Sequence, residues 1–224
     1  MRDYFCGWYY RCQSNTQTLA IIPSIHKSKG ESFCNIQIIT DDGAFHVPLP
    51  YSDLNKDRRQ MNFGKNRFGD DGISLDIQAP ELQASGSLRF GAFTPIAYDI
   101  MGPFRYLPLL QCRHGVFSMK HTVNGALTVN GTCLSFTNAD GYLEGDRGRS
   151  FPKEYAWTQC FFPEGSLMLS VADVPIGGLH ITGIIGIVLL GGKEYRIATY
   201  LGAKAVKIRN GEIVIHQGKW VFTA

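Results

Sequence analysis

The sequence is short of charge. Asp, Glu, Lys and Arg make up 18% of its 224 residues, against 44% apolar ones, where about a quarter charged is usual. No basic run of five or more occurs and the net charge is +3, so the electrostatic footprint of a nucleic-acid binder is missing. The six cysteines (Cys6, Cys12, Cys34, Cys112, Cys133, Cys160) never take CxxC spacing, and no zinc or other metal site is expected. A nucleophile elbow, a P-loop and a dinucleotide fingerprint are all absent, so no cofactor is expected. The opening "MRDYFCGWYY" has no apolar core behind a basic region. A cytoplasmic protein with reduced thiols is expected, and a peripheral membrane contact is compatible with it.

One stretch also lacks charge altogether: "VPIGGLHITGIIGIVLLGG", residues 174–192. Its length approaches a membrane span, but it holds six glycines, a proline and a histidine. Each Gly in a helix interior costs about 1 kcal/mol relative to Ala. It reads as a turn and a strand buried on both faces, not a transmembrane segment.

Sustained helical periodicity is missing too. What fills the chain is turn punctuation between short β-like runs. Asp42-Gly43, Asp71-Gly72, Asn124-Gly125, Asn130-Gly131, Asp140-Gly141 and Asn210-Gly211 are hairpin-turn signals. Runs such as "SFCNIQIIT" and "AKAVKIRNGEIVIHQ" alternate apolar and polar residues, the pattern of half-buried strands. The fold class is all-β, a sandwich or barrel. Residues 52–70 are the polar part of the first half, a loop or one short helix. "FTPIAYDIMGPFRYLP" at 93–108 is a poor strand and a good crossover. It suggests two units, 1–98 and 99–224.

The charge that exists is concentrated in "GYLEGDRGRSFPKEYAWTQC", Gly141 to Cys160. On an extended strand Glu144 and Asp146 share a face. Two carboxyls on one face drive their pKa values apart, while Arg147, Arg149 and Lys153 hold one of them ionised. The plain alternative is a strand end whose charges pair at the surface. His114 and His121 are seven apart and face opposite ways on one strand, so they are not a ligand pair. His114 remains as a partner for an acid or a hydroxyl. His26, His46, His180 and His216 receive no role. Tyr155, Trp157 and Gln159 share parity, which gives one face two rings and an amide, a wall for an amphipathic ligand. Pro152 restricts Phe151 to extended geometry.

The same stretch resembles the central motif of the tocopherol cyclase family. "MGPFRYLPLLQCRHGVFSMKHTVNG" (101–125) and "DYFCGWYYR" (3–11) resemble that family's upstream and amino-terminal segments. "SLMLSVADVPI" and "HITGIIGIVLLGGKEYRIATYLGAKAV" resemble its downstream strands. Arg147 stands where the motif usually has Trp, and Gln111 where the upstream segment usually has Glu. The resemblance implies two lipocalin-like β units with a large apolar cavity for an isoprenoid or prenyl-quinol ligand. It implies acid-catalysed closure of a prenyl side chain onto a phenol, an isomerase-class reaction. Asp146 or Glu144 would be the acid and His114 its support. Trp8, Tyr10, Tyr142, Trp157 and Gln159 would line the ligand. Hydration of a prenyl double bond is the close mechanistic alternative, and a non-catalytic lipid carrier on the same fold is the other.

Overall fold

The alternating runs become strand almost everywhere. The structure is a computed structural model that describes residues 3–57, 60–107, 110–176, 178–209 and 211–223. The strands are β1 (Tyr4–Gln13), β2 (Thr18–Ser28), β3 (Glu31–Thr40), β4 (Gly43–Pro50), β5 (Leu54–Lys56), β6 (Gln60–Phe63), β7 (Asn66–Gly69), β8 (Gly72–Gln78) and β9 (Gln83–Phe90). Then follow β10 (Cys112–Val129), β11 (Thr132–Gly148), β12 (Tyr155–Phe162), β13 (Gly165–Ile176), β14 (Leu179–Leu190), β15 (Lys193–Ala198), β16 (Lys204–Arg209), β17 (Glu212–Gln217) and β18 (Trp220–Thr223). The helical content among the described residues is three short 3-10 turns. None is long and apolar enough to cross a membrane.

Two compact units emerge, but they do not divide at residue 98. One holds 1–95 and 116–149, the other 96–115 and 150–224. The reason is pairing. The first unit is an eleven-stranded antiparallel sheet in the order β4-β3-β2-β1-β11-β10-β9-β8-β7-β6-β5. β1 to β4 form one meander and β5 to β9 another, and the β10–β11 hairpin joins them between β1 and β9. The sheet is open: its outer strands β4 and β5 are not paired to each other. One face packs a core around Tyr10, Leu19, Ile21, Ile36, Phe68, Leu88, Val123, Leu127 and Leu143. The second unit contains a four-stranded sheet, β12-β13-β14-β15, and a three-stranded one, β16-β17-β18. Leu169, Val171, Ile184, Ile197, Ala203 and Ile215 form its core.

Several expectations change. The described residues of 52–70 form, after the 3-10 turn at Tyr51–Asp53, the short hairpin strands β5, β6 and β7 in place of the expected loop or helix. Asn130-Gly131 is the β10–β11 turn, with φ of 46° and 85°, the left-handed pair that a two-residue hairpin loop needs. Asn124-Gly125 and Asp140-Gly141 make no turn and lie inside β10 and β11. Gly125 sits where a Cβ would stand 2.3 Å from Ser87 O, so it serves a close approach of β9 and β10. The uncharged segment from 174 becomes the end of β13, a turn, and β14. The start of β14 is open to solvent (Leu179 is 72% exposed), so it is not buried on both faces.

The Pro-rich segment from 93 to 107 is poor in strand, as expected, but it joins β9 to β10, which pair antiparallel in one sheet, and charge anchors it. Arg196 on β15 lies 3.3 Å from the Tyr98 ring centroid. It donates to the carbonyls of Asp99 (3.1 Å) and Tyr98 (2.5 Å) and to Glu194 Oε1 at 2.6 Å. The Arg196 side chain is 5% exposed. Removing one partner of a buried pair costs about 3–5 kcal/mol, because the other charge is left uncompensated. Arg196→Ala is therefore expected to lower stability by about that amount in urea unfolding. Arg196→Lys should recover only part, since an ammonium cannot reproduce the planar fork or the stacking.

Candidate active site

The glycines of the central motif explain its spacing. β11 alternates, and its core-side positions are Gly141, Leu143 and Gly145. A Cβ at Gly141 would stand 2.4 Å from His121 Nε2, and one at Gly145 would stand 2.7 Å from Trp8 Cδ1 and 2.9 Å from Phe117 Cε2. The two glycines thus make room on that face for the buried His121, the partly buried Trp8 and the exposed Phe117. The residues between them, Tyr142, Glu144 and Asp146, point to the other face of the sheet.

That second face carries the chemistry. Tyr142 and Glu144 are 0% and 4% exposed. The Tyr142 hydroxyl donates to Glu144 Oε2 at 2.6 Å, a short bond even for an O–H donor. The Glu144 and Asp146 carboxylate oxygens lie within 4.8 Å of one another. β1 supplies the opposite row: Gly7 faces Asp146, Tyr9 faces Glu144 and Arg11 faces Tyr142. Burial, then the nearby Glu144 charge, raises the Tyr142 pKa well above the ordinary value. Burial also raises Tyr9; Arg11 opposes the rise and Glu144 adds to it. Both phenols therefore stay protonated at neutral pH and act as donors. A pair of carboxyls beside two phenol donors and a guanidinium can hold, share and deliver a proton.

The other predicted residues divide by strand and face. His114 lies on β10, the sheet neighbour of β11. It falls in the other compact unit from Glu144 and Asp146. One Glu144 oxygen is engaged by Tyr142. Trp8 and Tyr10 lie on the core face, opposite to the carboxyls. Tyr10 is 1% exposed, stacks on Phe90 at 5.7 Å and donates to Gly69 O at 3.3 Å. Trp8 meets Tyr10 and Phe117 edge-on at 6.1 and 6.5 Å. Trp157 and Gln159 share one face of β12 in the second unit, with Gln159 buried beside Met168.

Tyr9 and Arg11 carried no assigned site role in the sequence. Their alternation with Trp8 and Tyr10 puts them on a separate face, but only the β1–β11 register shows that this face is the acidic one. His121, set aside as a ligand, proves to be a core residue. It is 4% exposed and lies 4.9 and 4.7 Å from the Phe90 and Phe93 rings. Its Nδ1 is 3.0 Å from Ser118 Oγ, and burial lowers its pKa to about 4.

No protein-family model matches the chain, and no curated protein sequence matches it. Solved structures do. A candidate AttH (NE1406) from Nitrosomonas europaea aligns with a TM-score of 0.55 and 10% identity, over 98% of this chain and 78% of that one. Kievitone hydratase from Nectria haematococca aligns with a TM-score of 0.57 and 10% identity, over 99% of this chain and 75% of that one. At this identity the likeness is one of fold, and the chain has the all-β architecture of these two proteins over nearly its whole length.

Proposed function

We propose that the protein binds a small hydrophobic ligand with a prenyl side chain and a phenol, and protonates the side-chain double bond. The observation that carries this is the buried Tyr142–Glu144 pair with Asp146 on the same face. An exposed carboxyl near pKa 4 is ionised at pH 7 and gives up protons poorly to carbon. The Glu144 and Asp146 carboxyl oxygens lie within 4.8 Å of one another beside the Tyr142 hydroxyl, so a proton can pass between them and on to the ligand. Asp146, half-buried, can be reloaded from solvent, and Glu144 is fixed by Tyr142. Protonation of a trisubstituted double bond gives a tertiary cation. Capture by the ligand's own phenol closes a ring, as in the tocopherol cyclase family that the sequence resembles. Capture by water hydrates the bond, and the fold shared with kievitone hydratase makes this the second reading.

Incubation with 2-geranylphenol tests the reading. The expected products are a chroman or a tertiary alcohol of the probe. Tight, saturable binding with the probe recovered unchanged would mean carriage without chemistry.

A further inference from the structure

The acidic face does not end at β1. Gly7 pairs with Asp146 on one side and with Ser24 of β2 on the other. Asp146, Gly7 and Ser24 thus form one row across three strands, and residues in such a row point to one face. A Cβ on Gly7 would stand 3.1 Å from Ser24 Cβ and 3.2 Å from Pro23 O. Its direction is therefore that of Ser24, and its absence leaves a gap in the row between Ser24 and Asp146. Strands lie about 4.8 Å apart, so the backbones of these two residues are separated by about 10 Å.

Ser24 is not alone at the far side of the gap. It is 9% exposed, and its Oγ lies 2.9 Å from His26 Nε2. Ser24 Oγ also lies 3.5 Å from Asn35 O. The His26 ring stacks on Phe33 at 4.9 Å with an interplanar angle of 14°. Phe5 stands opposite it on β1 and Phe33 on β3, so neither neighbouring strand sets a titratable group against it. Burial lowers its pKa, which leaves a neutral imidazole at pH 7 able to accept a proton.

We infer that Ser24 and His26 form the proton-accepting half of the site, separated by the Gly7 gap from the carboxyls that donate. The inference rests on the reading of Glu144 and Asp146 as the donating half. Addition across a double bond needs both. A carboxyl proton goes to the less substituted carbon, and the π pair becomes the new C–H bond. A lone pair of water, or of the ligand's phenol, forms the C–O bond to the tertiary cation. The proton on that oxygen passes to Ser24 Oγ as the Ser24 proton passes to His26 Nε2. Carboxylate and imidazolium then reset by exchange with solvent. Ser24 would touch the attacking oxygen, and His26 acts through Ser24.

The test uses 2-geranylphenol in D2O with wild type, Ser24→Ala and His26→Gln, each checked by thermal melting. The wild type is expected to form product carrying one deuterium on carbon. In the variants, product formation should fall at least tenfold. Deuterium should still enter the recovered probe within a few fold of the wild-type protonation rate, because the uncaptured cation reverts. Variants that form product at the wild-type rate overturn the inference. So does an equal fall in product and in exchange, which marks a merely structural role. A wild type that neither forms product nor exchanges deuterium overturns the donor reading instead. Should Ser24→Ala fail to fold, His26→Gln at its half-buried position carries the test by itself.

Discussion

Asp146→Asn is expected to reduce turnover of 2-geranylphenol at least 100-fold and to leave its affinity within a few fold. A positioned general acid contributes about 100- to 10,000-fold. The amide keeps the size and polarity of the side chain but has no acidic proton. Affinity should survive because most of the binding energy of such a ligand comes from apolar contact. Glu144→Gln should be as damaging. It replaces the carboxyl oxygen that accepts the Tyr142 hydroxyl at 2.6 Å with an amide that has no acidic proton. Tyr142→Phe separates the two effects. It leaves both carboxyls in place but strips the buried Glu144 of a donor, so turnover should fall while both acids remain. Turnover by Asp146→Asn at the wild-type rate would sink the catalytic account.

The second large effect is on stability and needs no ligand. His121 is neutral in the fold because burial lowers its pKa to about 4, against about 6.5 in an unfolded chain. Between these values the unfolded chain binds the extra proton, so stability rises with pH through that window. The contribution is fully present above pH 6.5 and is lost as pH falls toward 4. A displacement of this size amounts to about 3 kcal/mol at most, from 1.36 kcal/mol per pH unit. His121→Gln should flatten that segment of the pH-stability curve without changing its high-pH plateau by the same amount. Urea unfolding at pH 7, 5.5 and 4.5 checks it; parallel curves for the two proteins would mean that His121 is already solvated.

The strands were legible because alternation and turn chemistry are local. The Asn130-Gly131 turn fell where the pattern put it, whereas Val206 and Ile208 are 55% and 51% exposed because a bulge breaks the alternation between Ala205 and Lys207. Asn124-Gly125 and Asp140-Gly141 misled because their glycines serve long-range packing, against Ser87 and against His121. The division at 98 misled for a similar reason. The segment does interrupt the strand pattern, but β10 and β11 return to pair with β9 and β1, and the β1–β11 pairing joins residues more than a hundred apart. The same distance hid half of the site. Parity within "GYLEGD" places Tyr142, Glu144 and Asp146 together from sequence alone. Parity within "YFCGWYYRC" sets Trp8 and Tyr10 on one face and Tyr9 and Arg11 on the other. Nothing local says which of these faces meets the acids. Ser24 and His26 reach that face only through Gly7, a register contact with no signal in the chain around them.

The central claim is that the Tyr142–Glu144–Asp146 face belongs to a site for a prenylated, amphipathic ligand. Native mass spectrometry tests it most directly, with the protein purified without detergent, its bound lipids extracted, and the stripped protein then titrated with 2-geranylphenol. The account predicts a stoichiometric adduct that weakens when Glu144 and Tyr142 are replaced together by Leu and Phe. A protein that arrives empty and takes up no probe at saturating concentration would contradict it, and Glu144 and Asp146 would then be structural charges of the sheet.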